Sequence, residues 1–255
     1  VGQFASSKAS PSLVVSAGDL QLPGTLPQLG AINDSLVTMK WEANSCSSWA
    51  VVELNDARHY NAEDLPLMYA LRAHLLQLES APIGQKGLQA VALQGAGTHF
   101  CTGGAQHADA GMQFVSPAAA TMASAVAGMA DCVTLMSEMS APVVGMLHGK
   151  LIGGGVALAL NTDWRVCTFS ASLNHGNLPR NMNPVTNFSR SFGDLIGAGL
   201  AQSLHLQDST IGGTMGRVVG LAHMVTAQLL GAEDCALSIT KCPGNRKRVH
   251  RYKAD

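Results

Sequence analysis

The sequence predicts an α/β layered fold with largely parallel strand pairing. Two observations carry that expectation. Apolar runs of strand length alternate with stretches of helical period over about a hundred residues. Runs such as Leu88–Leu93 and Val143–Leu147 are nearly uninterrupted, the pattern of strands buried on both faces. With 255 residues, 47% of them apolar, the chain has ample length to bury a core.

Residues 1 to about 35 mix Ser, Gly, Pro and Leu without a sustained period and read as a linker or docked arm. Order is expected from Ser35 onward. Ser48–Leu54 reads as a strand ending at Asn55-Asp56; Asp64-Leu65-Pro66 then supplies a cap and an early-turn proline. Leu67, Leu71, Leu75 and Leu78 follow on one helix face. The Leu88 strand breaks at Gly95-Ala96-Gly97-Thr98. Pro117 starts a helix through Met122, Val126, Met129, Val133 and Met136 that stops at Ser140-Ala141-Pro142. After the Val143 strand, Gly153-Gly154-Gly155 opens an apolar helix to Asn161, and Trp164–Thr168 returns as a strand.

Charged residues make up 13% of the chain, against about 25% in soluble proteins generally, so an oligomer or a domain packed in a longer chain is expected. A net charge of −1 excludes a broad basic field, and with it non-specific nucleic-acid binding. Arg246–Lys253 reads as a basic tail or linker over 241–255. Six isolated cysteines (Cys46, Cys101, Cys132, Cys167, Cys235, Cys242) read as free thiols of a reducing, cytoplasmic setting. Ala110–Ala130 is not a membrane span, because Gln113, Ser116 and Pro117 interrupt a run made mostly of alanine. A chain that starts at valine without a signal peptide reads as part of a longer polypeptide.

Two glycine motifs are rejected. Gly95-Ala96-Gly97 has Phe100 where a dinucleotide fingerprint needs its third glycine, and Gly149-Lys150 follows Gly145 one residue too early for a P-loop. Two other segments, Thr98–Ala105 and His148–Leu158, each follow a strand and place glycines where backbone must approach something closely. Gly154 opens a helix, so its N–H has no partner within it. Two such N–H groups converging from two loops make an oxyanion hole; the alternative is plain turn chemistry.

The order Phe100-Cys101-x-Gly103-Gly104, helix, Ala141-Pro142-Val143-Val144, His148-Gly149-x-x-x-Gly153-Gly154-Gly155, helix, Asp163-x-Arg165-Val166 resembles the crotonase (enoyl-CoA hydratase/isomerase-like) superfamily, from about Trp49 to about Val225. The run from His148 to Val166 and the later Asn177-Leu178-Pro179-Arg180 most resemble crotonase-fold domains of polyketide synthases. The resemblance implies a spiral of ββα turns over residues 36–240 with helices around it, here with a shortened C-terminal helical region: Val218–Leu221 resembles the strand that follows the family's active-site helix, and only 34 residues come after it. It also implies a homotrimer or higher oligomer and a substrate held as a thioester on coenzyme A or on acyl-carrier phosphopantetheine. No further cofactor, metal, nucleic acid or membrane is implied. The oxyanion donors fall on Gly104 and Gly154, with Cys101, Gly103, His107 and Gly153 placed to face substrate.

Hydratases of the family carry two glutamates at positions held here by Ala157 and Asn177, neither of which exchanges protons at neutral pH. His175 is either a general acid or a satisfied loop histidine; Asn177 either orients a substrate carbonyl or caps a turn. His107 is either substrate-facing or a surface residue, and Cys101 reads as core packing, with no base beside it. His148 and Asp163 are expected to brace structure. The favoured reading is a lyase, most of all a decarboxylase-type domain acting in β-branching, because loss of carbon dioxide generates an enolate without a base. Decarboxylases of that group commonly carry a lysine where Gln106, His107, Asp109 and Met112 stand here. The alternatives are a dehydratase or hydratase with a rearranged site, and a non-catalytic module that keeps the fold for docking or oligomerisation.

Overall fold

The computed structural model of the protein describes residues 35–43, 48–81, 88–104 and 117–229, without the side chains of residues 43 and 117–122. The arm ahead of residue 35, the basic tail, His107 and its neighbours Gln106, Asp109 and Met112, and Cys46, Cys235 and Cys242 lie outside the described residues.

In chain order, β1 (Val37–Ala43) pairs antiparallel with β2 (Ser48–Leu54), Val37 standing opposite Leu54. Helix α1 (Leu65–Glu79) crosses to β3 (Leu88–Gly95), parallel to β2 with Ala50 opposite Val91. Helix α2 (Pro117–Glu138) leads to β4 (Val143–Leu147), parallel to β3. Then follow β5 (Lys150–Ile152), α3 (Gly154–Leu160), β6 (Trp164–Thr168), β7 (Ser172–Asn174), α4 (Phe188–Ile196), α5 (Ala198–Leu206), β8 (Thr210–Gly212), α6 (Gly213–Val218) and β9 (Met224–Thr226). Six strands form one sheet in the order β1-β2-β3-β4-β6-β9, parallel throughout except at β1; β5-β7-β8 form a second, smaller sheet.

The chain therefore repeats one unit. A strand of the large sheet, a short strand of the small sheet and a helix succeed one another in β4-β5-α3 and again in β6-β7-α4. The predicted α/β spiral of ββα turns is the architecture present.

Alternation in β2 sends Ala50, Val52 and Leu54 into the main core and Trp49 and Val51 to the opposite face, where Val144, Met146, Trp164 and Val166 meet them. Both faces of the central strands are thus buried, which is why their sequences run apolar without a break. Asp64 caps α1, its Oδ1 accepting from Leu67 N–H at 2.9 Å, and Leu67, Leu71, Leu75 and Leu78 are all buried. Each such leucine contributes roughly 1.5–3 kcal/mol of transfer free energy. α1 packs on α2 at Gly128, where a Cβ would come within 3.1 Å of Met68 Cβ.

Two departures from the sequence reading follow from exposure. β1 is an edge strand with Lys40, Trp41 and Glu42 exposed, so no apolar run marks it. Val218–Leu221 is not the returning strand: Val218 is the exposed last residue of α6, Gly220 turns the chain at φ +92°, and the strand begins at Met224.

Candidate active site

The ββα rhythm brings distant residues together. After β5 the chain enters Gly153-Gly154, and after β7 it enters Gly176-Asn177, β5 and β7 lying parallel. In the preceding turn one residue, Cys101, stands in for the short strand by bridging Leu151, and Gly103-Gly104 follow. One turn earlier again, Glu63 bridges Gly104 in parallel. Four successive loops thus stack on adjacent rungs.

The glycines are there for close approach. Gly103 has φ +80°, and a Cβ on it would overlap Ile152 O and lie 3.2 Å from Gly154 N. Gly153, at φ +53°, presents to Asn177, whose Oδ1 would be 3.2 Å from a Cβ there. Gly104 faces open space and is exposed. Among the described residues neither the Gly104 nor the Gly154 N–H has a hydrogen-bond partner. Such donors are available to a ligand oxygen.

Asn177 is buried and donates from Nδ2 to Asn183 O at 3.1 Å, which fixes its amide beside Gly153. Ala157 is buried in the core. His175 follows β7, but its ring turns into the helical layer: it stacks on Phe188 at 4.4 Å and meets Phe192 edge-on, and its Nδ1 lies 3.2 Å from His205 Nδ1. Burial and then the neighbouring His205 push its pKa down to about 4, against the opposing pull of Asp208, so it is neutral at pH 7. His148 Nε2–H donates to Gly97 O at 3.1 Å, and Asp163 Oδ2 accepts from Val143 N–H at 2.8 Å, ties between loops and strand ends.

Glu63 is the residue that sequence reasoning missed. Its carboxyl is packed against Gly154, so closely that a Cβ on Gly154 would overlap Oε2, and it is 6% exposed. Its carboxyl hydrogen-bonds, among the described residues, with the Cys101 thiol alone, Sγ to Oε1 at 3.8 Å. Cys101 is fully buried and therefore does have an ionisable group beside it, contrary to expectation. Burial raises Glu63 to about 8, and burial together with the Glu63 charge holds the Cys101 thiol well above its usual range. The signal in the sequence is slight: an acidic residue directly before the Asp64 cap, at the point where the other turns carry glycines.

No cluster of metal-ligating side chains occurs among the described residues, and no described helix is long and apolar enough to cross a membrane. A family model described as enoyl-CoA hydratase/isomerase matches residues 44–229. A peroxisomal Δ(3,5)-Δ(2,4)-dienoyl-CoA isomerase of Arabidopsis thaliana is 27% identical over 135 residues, 50% of this chain and 47% of that protein. A Mycobacterium bovis protein named as a probable enoyl-CoA hydratase is 29% identical over 127 residues, covering 48% and 42%. The chain thus matches less than half the length of these curated relatives. Among solved structures, an enoyl-CoA hydratase from Thermoplasma volcanium superposes with a TM-score of 0.69 at 19% identity, covering 86% of this chain and 82% of that one. A Thermobifida fusca protein described as an enoyl-CoA hydratase, solved in complex with acetoacetyl-CoA, gives 0.68 at 19% identity over 87% and 86%.

Proposed function

The chain belongs to the enoyl-CoA hydratase/isomerase family, the crotonase superfamily, and from that premise we propose that it processes an acyl thioester whose carbonyl oxygen is held between Gly104 N–H and Gly154 N–H. The observation that carries this reading is the approach of the Gly103-Gly104 loop to Gly154 N, with both amides left free by the rest of the described protein. Two donors aimed at one oxygen stabilise it more as charge accumulates, which favours reactions that pass through an enolate.

Within that class the reaction is hydration, dehydration or a double-bond shift on a rearranged site, as the described relatives suggest. Neither Ala157 nor Asn177 has a side-chain group that acts as an acid or base near neutrality, so the pair of glutamates used by ordinary hydratases of the family is not the route. The same two residues favour one second reading: loss of carbon dioxide from a carboxylated thioester, which needs the hole but no base. The carrier is coenzyme A, as in the Thermobifida fusca complex, or the phosphopantetheine of an acyl-carrier protein if the narrower likeness to polyketide synthase domains holds. No other cofactor is needed. A low charge content favours a homo-oligomer or packing within a longer chain, and the family likeness favours three or more chains.

The test is incubation with unsaturated, hydroxylated and carboxylated acyl thioesters on both carriers, followed by intact-mass analysis. Conversion is expected, and Gly104→Pro, which deletes one donor, is expected to lower turnover by about 10²–10³-fold. A loss of less than tenfold removes the oxyanion role from Gly104. Inertness towards every thioester, with no binding of acyl-CoA, leaves the fold as a docking module.

A further inference from the structure

A carboxyl group has been kept at the centre of this site at a cost to the fold. Glu63 stands where the peptide runs from β2 into α1, and its position is fixed from both sides. Its own N–H donates to Gly103 O at 2.8 Å. Two residues before it, the fully buried Asn61 donates to Ala96 O, His99 O and Phe100 O at 2.9, 2.8 and 3.2 Å and accepts from Asp56 N–H at 2.9 Å. The backbone that presents Glu63 is therefore tied to the loop that carries Gly103 and Gly104.

A buried carboxyl with a structural task is normally held by an ion pair or by several N–H donors. Glu63 has neither: no described Lys, Arg or His lies within ion-pair distance, and its hydrogen-bond partner is a thiol, among the weakest donors in proteins. What it does have is contact with Gly154. An oxygen accepting from Gly154 N–H sits about 3 Å from that nitrogen, and Glu63 Oε2 rests on the Cα bonded to the same nitrogen.

We propose that Glu63 is the proton-carrying catalytic residue of this site, acting on the carbons next to the bound thioester carbonyl. The inference rests on the oxyanion reading above and adds the group that reading lacks. The ionised carboxylate takes a proton from the α-carbon of a β,γ-unsaturated acyl thioester. The C–H bond breaks, an O–H bond forms on Glu63, and the released electron pair spreads over the conjugated dienolate, its charge resting on the oxygen between Gly104 and Gly154. The same O–H then breaks, its proton forms a C–H bond at the γ-carbon, and the double bond is left conjugated with the carbonyl. The carboxylate is regenerated and no co-reactant is consumed.

Burial suits the group to this task. Desolvation raises it to about 8, which makes its carboxylate a stronger base than an exposed one and its acid form abundant near neutrality. Among the described residues, the titratable side chains that interact with it are Cys101, in contact, and Cys132, which feels its charge. Both thiols are held up, Cys132 to about 12, so neither is charged in the working range.

The 255-residue chain is tested with 3-hexenoyl-CoA in deuterium oxide, with deuterium uptake and conversion to the conjugated isomer read by NMR. Binding of the same thioester is measured by calorimetry. Uptake is expected in the unaltered protein, with a rate that rises about tenfold per pH unit below pH 8 and then levels. Glu63→Gln, nearly isosteric, is expected to bind the thioester within threefold of the parent and to lose at least 100-fold in uptake. Uptake by Glu63→Gln at the parental rate overturns the assignment to Glu63 and leaves the oxyanion reading standing, as does binding by the parent without any uptake. Failure of the parent to bind any thioester overturns both. Should Glu63→Gln not fold, the pH profile of the parent decides: a rate independent of pH between 6 and 8 overturns the proposal.

Discussion

Asn61 illustrates how much one side chain contributes at this site. Tyr60 and Asn61 both adopt left-handed backbone, φ +57° and +53°, a conformation that asparagine tolerates better than most residues. The amide of Asn61 then closes the 56–63 loop onto the turn after β3, with three carbonyl oxygens sharing its two N–H bonds. Replacing it by alanine leaves buried carbonyls without donors and removes the residue type suited to that φ. Asn61→Ala is expected to lower stability by about 2–4 kcal/mol, read as a shift of the urea midpoint at constant slope. A change below 0.5 kcal/mol at fixed slope means that water replaces the amide without loss, and the loop is held by its backbone alone.

Among the elements, the helices and central strands were legible in the sequence because their burial repeats at 3.6 residues or runs without a break, as in Leu67 to Leu78 and Val143 to Leu147. The three-residue strands β5, β7 and β8 were not, since a pattern of period two needs more residues than they have, and β9 was displaced by the exposed end of α6. Gly104 and Gly154, the glycines proposed as oxyanion donors, were legible through the family resemblance. Glu63 was not, because nothing in composition marks a carboxylate as buried; only the bridge to Gly104 does so, and that is long-range information. Packing at the same loops separates two glycines. A Cβ on Gly155 would overlap the backbone carbonyl of Cys101, whereas Gly104 meets nothing within 4 Å. Gly155→Ala is therefore expected to destabilise by about 1–3 kcal/mol through overpacking and Gly104→Ala by less than 0.5 kcal/mol, both by urea unfolding. Equal effects at the two positions would mean that α3 shifts freely against the Cys101 rung.

For the whole molecule, the buried ionisable groups determine how stability depends on pH, and two of them oppose each other. His175, lowered from 6.5 to about 4, binds a proton more readily in the unfolded chain, so it adds stability as pH rises from 4 to 6.5. Glu63, raised from 4.5 to about 8, binds a proton more readily in the folded chain, so stability falls as pH rises from 4.5 to 8. Each slope is about 1.4 kcal/mol per pH unit at full effect, and between 4.5 and 6.5 the two cancel. Above 9 the buried thiols continue the decline: Cys132 and Cys167 are raised to about 12 and Cys101 well above its ordinary value, while in the unfolded chain all three ionise near 9. Stability should therefore be flat in mildly acidic solution, fall from about pH 6.5 to 8, and fall more steeply above 9. Glu63→Gln should abolish the middle decline and keep the other two features, because among the described residues Glu63 is the group whose shift spans that window. Urea midpoints measured from pH 4 to 10 on both proteins read this directly. A parent protein at its most stable near pH 8, or a Glu63→Gln profile parallel to the parent between 6.5 and 8, would show that the Glu63 carboxyl is solvated in solution, and its poise as a proton carrier would go with it.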